Sequence, residues 1–341
     1  MKTSPHIVRM RPHLVEKVWG GRRLEERFGK KLSPDLSYGE AWEIADLEQG
    51  QSCVDSGPLA GLPLRALAEG WERALVGRKA PRSDRFPLLV KLLDASKDLS
   101  VQVHPGPEDA ARMEGAHSKE ETWLILDVDD GAEIIHGLVG DEVTRADFQS
   151  AVSDGKLEEL LHRVAVSSGD IVDVVPGTIH AICAGVALLE IQEPSDTTYR
   201  VYDYDRPGLD GKPRQLHIDE ALKVANLSRS PTVVTRPMPT DSEHVDLVTA
   251  ASSYRIERLQ LDKPARVSWK VDPDSPQILH VLDGELSVED GIGGQVELQA
   301  YQSAIVPALI GSVHAEIRQP TTVVVAGLAV EELIRGLRLH K

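Results

Sequence analysis

Gln102, His104, Glu121 and His180 are the side chains whose types and spacing could do chemistry together. In Leu99-Ser100-Val101-Gln102-Val103-His104 apolar and polar residues alternate strictly. Side chains two apart share one face of a strand, so Ser100, Gln102 and His104 project together while Leu99, Val101 and Val103 face a core. A second strand is predicted from Glu121 to Asp127, with Lys119 and Glu121 sharing a face. Two imidazoles, a carboxylate and an amide oxygen suit zinc and also tolerate other first-row ions. By itself the Gln102 and His104 pair is equally well read as a solvated polar face, and a lone histidine such as His180 is more often structural than a ligand. Its place after the Pro176-Gly177-Thr178 turn, which would deliver it to a barrel mouth, strengthens the metal reading.

Three further residues are candidates for the same site. Glu190 alternates with Leu188 and Gln192 on a strand, which suits a carboxylate behind a metal ligand, a general base or a solvated strand edge. Arg200, flanked by Thr198 and Tyr202 on one face, is a surface charge or a group that holds phosphate or stabilises an oxyanion. Lys91 interrupts the apolar run from Phe86 to Leu93, so it sits at an edge, snorkels to water or points into a polar cavity.

The elements that must position these groups are mostly short strands. Trp19-Gly20-Gly21 predicts a turn leading into a helical patch from Arg22 to Phe28, and Tyr38 to Ile44 begins a sheet. Leucines, alanines and Trp71 at helical spacing predict a helix from Leu62 to Val76, ended by Gly77. Pro107, Glu108 and Asp109 suit a first helical turn. Thr144-Arg145-Ala146-Asp147 has the form of a capping box, and the stripe Phe148, Val152, Leu157, Leu160 and Leu161 with Gly155 inside it predicts a helical hairpin over residues 144–163. From Arg163 the pattern is β again, with short strands closed by Gly, Pro and Asp turns, as in a β-barrel or jelly roll. His217 to Leu227 predicts a helix. Residues 1–229 are thus expected to form a site-bearing domain with helical insertions at 62–76 and 144–163, residues 230–240 a Pro-rich connector, and residues 241–341 a smaller β-barrel.

The charge balance narrows the ligands. A formal net charge of −16 disfavours nonspecific binding to nucleic acid or to an anionic membrane. An anionic substrate then needs a local cluster of Lys and Arg. Cys53 and Cys183 fit no Cys-x-x-Cys pattern and read as buried thiols, which is compatible with a reducing compartment. No apolar run has the roughly 20 residues that cross a bilayer, and the amino terminus lacks a signal-peptide core, so a soluble cytoplasmic protein is expected.

VWGGRRL (Val18 to Leu24), YGEAWEI (Tyr38 to Ile44), KLLDASKDLSVQVHP (Lys91 to Pro105), SKEETW (Ser118 to Trp123), PGTIHAI (Pro176 to Ile182) and EIQEPSDTTYRVYDYDR (Glu190 to Arg206) together carry a resemblance. Over most of its length the chain resembles type I mannose-6-phosphate isomerases of the bacterial short form, within the cupin superfamily. The resemblance implies a mainly β fold of two cupin-type β-barrels (jelly rolls) with helical insertions, the catalytic barrel being amino-terminal. It implies one zinc ion (Zn2+) per chain on Gln102, His104, Glu121 and His180, and catalytic roles for Lys119, Glu190 and Arg200. Lys91 and Ser100 fall on positions associated with the substrate phosphate.

The implied activity is interconversion of mannose 6-phosphate and fructose 6-phosphate by proton transfer through an enediol. Either Lys119 or Glu190 would shuttle the proton, with Arg200 on the enediolate or the phosphate. The expected partner is a small sugar phosphate, with neither nucleic acid nor membrane, and the expected state is a monomer or small homo-oligomer. Two departures stand out: Ser118 occupies the place of a histidine found in longer members, and Val175 that of a proline. His280 and His314 lie in cupin-like strands without accompanying carboxylate and glutamine ligands, so the carboxy-terminal barrel is expected to be metal-free. The rival readings are a noncatalytic cupin that binds sugar phosphates and a cupin oxygenase using redox-active iron.

Overall fold

Period-two alternation is answered in the structure by antiparallel sheets. The computed structural model describes residues 3–139, 143–228 and 234–340, and the chain is mainly β. It separates into two compact units: Leu14–Ala41 with Leu92–Arg236, and Met1–His13 with Trp42–Lys91 and Pro237–Lys341.

The seven-stranded sheet that carries most strands of the first of these units runs in the order Val234–Thr235, Ile171–Val174, Glu121–Val128, Val186–Gln192, Leu89–Ala95, Tyr38–Ile44 and His13–Gly21. A five-stranded sheet runs Tyr199–Tyr202, Val101–Val103, His180–Ile182, Glu133–Leu138 and Leu161–Ala165. Trp123, Ile125 and Leu188 of the larger sheet share a core with Ile134 and Ile182 of the smaller one. The other face of the five-stranded sheet carries Val101, Val103, Ile135 and Ala181, which pack on Phe148, Leu157, Ala221 and Leu222. Each buried Val, Leu, Ile or Phe side chain here contributes about 1.5–3 kcal/mol by leaving water. Val101 and Val103 are therefore pinned outward onto the helices, and the pleat turns Gln102 inward.

The helical cover follows the sequence with local changes. Thr144 caps the helix Arg145–Ser153 in a full capping box with Asp147, and Gly155, at φ +68°, ends this segment. The expected hairpin over 144–163 is shorter than predicted, because Leu157–Leu160 is a single 3-10 turn and Leu161 already belongs to a strand. The helix expected over 62–76 is two pieces, Leu64–Trp71 and Arg73–Val76, broken at Glu72 with φ 47°. The helix after His217 spans Ile218–Val224. The turn expected at Trp19-Gly20-Gly21 is instead the end of the strand His13–Gly21. Gly20 is required there by close packing, since a Cβ would lie 2.3 Å from the Tyr38 carbonyl carbon.

In the other unit an eight-stranded sheet includes Val8–Arg11 between Ser303–Val306 and Cys53–Val54, and a five-stranded sheet runs from Gln295–Gln299 to Arg335–His340. Trp269, Leu279, Val281, Leu286 and Val313 lie in its core. The contiguous boundary at residue 229 differs from this division. Val8 pairs with Ile305 and Met10 with Ser303 and Val54, so the amino-terminal strand and residues 42–91 group with the carboxy-terminal part. Of the expected connector 230–240, residues 230–233 lie outside the described residues, Val234–Thr235 pairs with Ile171–Val174, and Met238–Pro239 pairs with Val245–Ala250.

Candidate metal centre

The five-stranded sheet sets a row of polar side chains directly opposite one another: Arg200 faces Gln102, Gln102 faces His180, and His180 faces His136. Residues directly opposite on antiparallel strands share a face at about 4.5–5.5 Å between Cβ atoms. His104 follows the end of Val101–Val103, and its carbonyl oxygen accepts the Gly177 N–H at 2.9 Å, which ties this strand end to the turn before His180. Glu121 comes from the seven-stranded sheet, at the start of Glu121–Val128.

His104, Glu121 and His180 are each 1% exposed, and their ligand atoms all lie within 4.8 Å of one another. His104 Nδ1 is 2.9 Å from the Thr197 carbonyl oxygen and His180 Nδ1 is 2.9 Å from that of Thr178. A carbonyl oxygen only accepts, so each neutral ring carries its proton on Nδ1 and turns a bare Nε2 lone pair inward, the arrangement of a metal-ligating imidazole. Burial pushes His180 down to about 4 and His104 well below the usual histidine range, so both are neutral at physiological pH.

His180 Nε2 stands 3.4 Å from Glu121 Oε1, and His104 Nε2 stands 3.6 Å from Glu121 Oε2. These are acceptors facing acceptors, with no proton to share. Lys119 Nζ supplies positive charge on one side, 2.7 Å from Glu121 Oε2 and 3.1 Å from His104 Nε2. Burial alone would raise the Glu121 carboxyl, but the Lys119 ammonium holds it well below the ordinary carboxylate range. Glu121 Oε1 receives no hydrogen bond in this buried place. A divalent cation fits these donors, because it converts the acceptor contacts from repulsive to attractive.

Gln102 Nε2 lies 3.3 Å from His180 Nε2 and its Oε1 3.5 Å from Ser100 Oγ. A half-turn of the terminal amide exchanges the two atoms and brings the oxygen to the cluster. Arg200 Nε lies 3.1 Å from Ser100 Oγ, which joins the arginine to Gln102 through one hydroxyl. Glu190 is 3% exposed and directly opposite Trp123, two register steps from the Gln192 and Glu121 pair, so it shares their face. The Trp123 ring packs edge-on to His180 at 5.6 Å between centroids. Lys91 is buried in Leu89–Ala95 of the seven-stranded sheet. Ser118 Oγ donates to Glu193 Oε2 at 2.8 Å.

The structure thus brings Gln102, His104, Lys119, Glu121 and His180 together and places Ser100, Glu190 and Arg200 around them. Sequence reasoning passed over His136, although Ile134 and His136 alternate within Glu133–Leu138 as the other strands do. It also passed over Asp203, which accepts hydrogen bonds from Arg206 and Arg214. That grouping has no periodic signal, because a loop assembles it. His280 is buried with Nδ1 2.8 Å from Ser303 Oγ, whereas His314 is exposed on another strand. Among the described residues, His104, Glu121 and His180 are the group of three or more potential ligands close enough to hold a metal.

Residues 7–124 match the family described as phosphomannose isomerase type I, catalytic domain. Mannose-6-phosphate isomerase ManA of Bacillus subtilis (strain 168) is 41% identical over 252 residues, covering 73% of this chain and 76% of that protein. The crystal structure of the mannose 6-phosphate isomerase from Bacillus subtilis superposes with a TM-score of 0.80 at 31% identity, over 94% of this chain and 99% of that one. A zinc-bound mannose 6-phosphate isomerase shares the fold at 18% identity, with a TM-score of 0.73 over 95% and 100% of the two chains. The chain belongs to the type I mannose-6-phosphate isomerase family.

Proposed function

We propose that this protein is a zinc-dependent aldose-ketose isomerase that interconverts mannose 6-phosphate and fructose 6-phosphate on a cupin-type barrel, with a second cupin-type barrel lacking metal. The observation that carries this reading is the convergence of two carbonyl-backed imidazoles on one buried carboxylate that receives no hydrogen bond at Oε1. The donors assigned to the zinc are Gln102, His104, Glu121 and His180. When bound, zinc would supply Lewis-acid polarisation of the substrate oxygens.

The remaining chemistry falls to the chain's own side chains. Isomerisation removes a proton from C2 of the open-chain aldose and returns it to C1 of the ketose, through an enediol. Lys119 is the proposed donor or relay of a proton at the substrate oxygens, a reading supported by its buried Nζ between His104 Nε2 and Glu121 Oε2. Glu190 is the proposed carbon base, a reading supported by its position on the neighbouring strand, on the same face as Gln192 and opposite Trp123. Arg200, held at Nε by Ser100 and at Nη1 by the Gln215 carbonyl, presents its charge beside Gln102 to an oxyanion or a phosphate.

A coupled assay that follows fructose 6-phosphate formed from mannose 6-phosphate tests the reading. Turnover in the presence of zinc is expected. A folded, zinc-loaded protein that binds mannose 6-phosphate without converting it would overturn the isomerase assignment.

A further inference from the structure

Lys119 stands just outside the regular structure. Residues 116–120 lie in neither helix nor strand, and Glu121–Val128 begins only two residues after the lysine. The sheet ladder therefore does not fix it, yet Lys119 is 4% exposed and its Nζ is set between His104 and Glu121. Holding so long a side chain in one buried place costs about 1.5–2 kcal/mol of rotamer freedom. The place is kept only if the backbone that carries the lysine is fixed as well.

One side chain supplies that restraint on both flanks. Glu193 Oε2 accepts the Ser118 hydroxyl at 2.8 Å and the Glu120 N–H at 3.0 Å. Ser118 and Glu120 are the two neighbours of Lys119, so a single carboxylate oxygen grips the chain before and after it. The Glu193 N–H closes the grip by donating to the Glu120 carbonyl at 3.1 Å. The Lys119 N–H donates to the Pro105 carbonyl at 3.1 Å, one residue from His104. Carboxylate acceptors make hydrogen bonds roughly twice as strong as neutral ones.

The residues after Glu193 already join the two segments without its side chain. Ser195 Oγ donates to the His117 carbonyl at 3.2 Å, and Thr197 Oγ1 accepts the His117 N–H at 3.0 Å. The Thr197 carbonyl backs His104. A clip that merely closed the loop would be complete with these contacts. The Glu193 carboxylate adds two bonds more, and both fall on the residues that flank Lys119.

We propose that Glu193 is the positioning residue for Lys119, and that Ser118, which stands where longer members have a histidine, is the hydroxyl it holds. The effect on rate rests on the isomerase reading; the effect on Lys119 does not.

The test uses zinc-loaded, full-length protein and two readouts. Acetylation of Lys119 by acetic anhydride, followed by mass spectrometry of its peptide, reports whether the amine is held in place. KM and kcat for mannose 6-phosphate report the consequence. Glu193→Ala is expected to speed Lys119 acetylation by about 10-fold or more, because two hydrogen bonds to a carboxylate are lost. Its kcat is expected to fall by about 10- to 100-fold with KM and zinc content nearly unchanged, the scale of a displacement near 1 Å at a reacting group. Glu193→Gln keeps an acceptor oxygen for the same donors and is expected to recover most of both. In a Lys119→Ala background Glu193→Ala is expected to lower kcat no further, because the two residues act as one unit. Wild-type acetylation and kcat in folded Glu193→Ala overturn the proposal, and so does an additive loss in the double variant. Zinc lost from Glu193→Ala while Lys119 stays protected overturns it as well, by placing the effect on His104. Should Glu193→Ala fail to fold, Ser118→Ala removes one of the two bonds, and unchanged acetylation and kcat there overturn it equally. A protein without isomerase turnover whose Lys119 is protected, and is released by Glu193→Ala, sinks the isomerase reading and supports the positioning role.

Discussion

At the scale of single residues, protonation geometry says more than residue type. A histidine on a strand is ordinary; two histidines whose Nδ1 protons are committed to the Thr197 and Thr178 carbonyls, with both Nε2 atoms aimed at Glu121, are not. Glu121→Ala is accordingly expected to lose both zinc and activity, as read by elemental analysis and the coupled assay. Lys119→Ala is expected to retain zinc and lose turnover by about 10²–10⁴-fold, the usual range for a proton-transfer group. Retained stoichiometric zinc and activity in Glu121→Ala would contradict the ligand assignment. The buried thiol of Cys183 is pushed up to about 12 by burial, so it stays protonated across the physiological range. Since the thiolate is the reactive form, alkylation of Cys183 by iodoacetamide at pH 8 is expected only after unfolding. The Gln102 and His104 pair was legible because strand alternation is a local rule. Asp203 was not, because its two arginines reach it across a turn and a loop.

At the scale of elements, the site depends on an outward face as much as an inward one. Val101 and Val103 pack with Phe148, Ala221 and Leu222, and that packing fixes the pleat that turns Gln102 toward His180. Phe148, fully buried, is expected to cost about 3–5 kcal/mol when replaced by Ala, while Thr144→Ala, which removes only the helix cap, costs about 1 kcal/mol. Urea denaturation of the two variants checks the ratio, and equal losses would mean that the helix does not brace the sheet through Phe148. The capping box was readable because its residues are adjacent. The break at Glu72 was not, since its φ of 47° comes from how two short helices pack rather than from a Gly or Pro signal. Gly20 was misread as a turn for a related reason: its role is the close approach of the Tyr38 backbone, which only pairing reveals. Val186–Gln192, buried along its whole length, hides Glu190 in a nearly continuous apolar run, so its alternation gave only a weak sign of which way the carboxylate faces.

At the scale of the molecule, strand pairing overrides chain order. The strand Val8–Arg11 is hydrogen-bonded to Ser303–Val306 and Cys53–Val54, so the carboxy-terminal unit is incomplete without the amino terminus. Residues 237–341 expressed alone are expected not to fold cooperatively, and a sharp thermal transition from that fragment would contradict this division. No local pattern announces such a pairing, which is why a mainly β architecture was legible and its discontinuous units were not.

Gln102, His104, Glu121 and His180 are the proposed metal ligands, and a zinc titration of chelator-stripped protein tests that proposal most directly. Mannose 6-phosphate turnover is expected to be absent from the stripped protein and to return in proportion to added zinc, saturating at one equivalent per chain. Stripped protein that is shown by elemental analysis to hold no metal, yet isomerises at the undiminished rate, would contradict it.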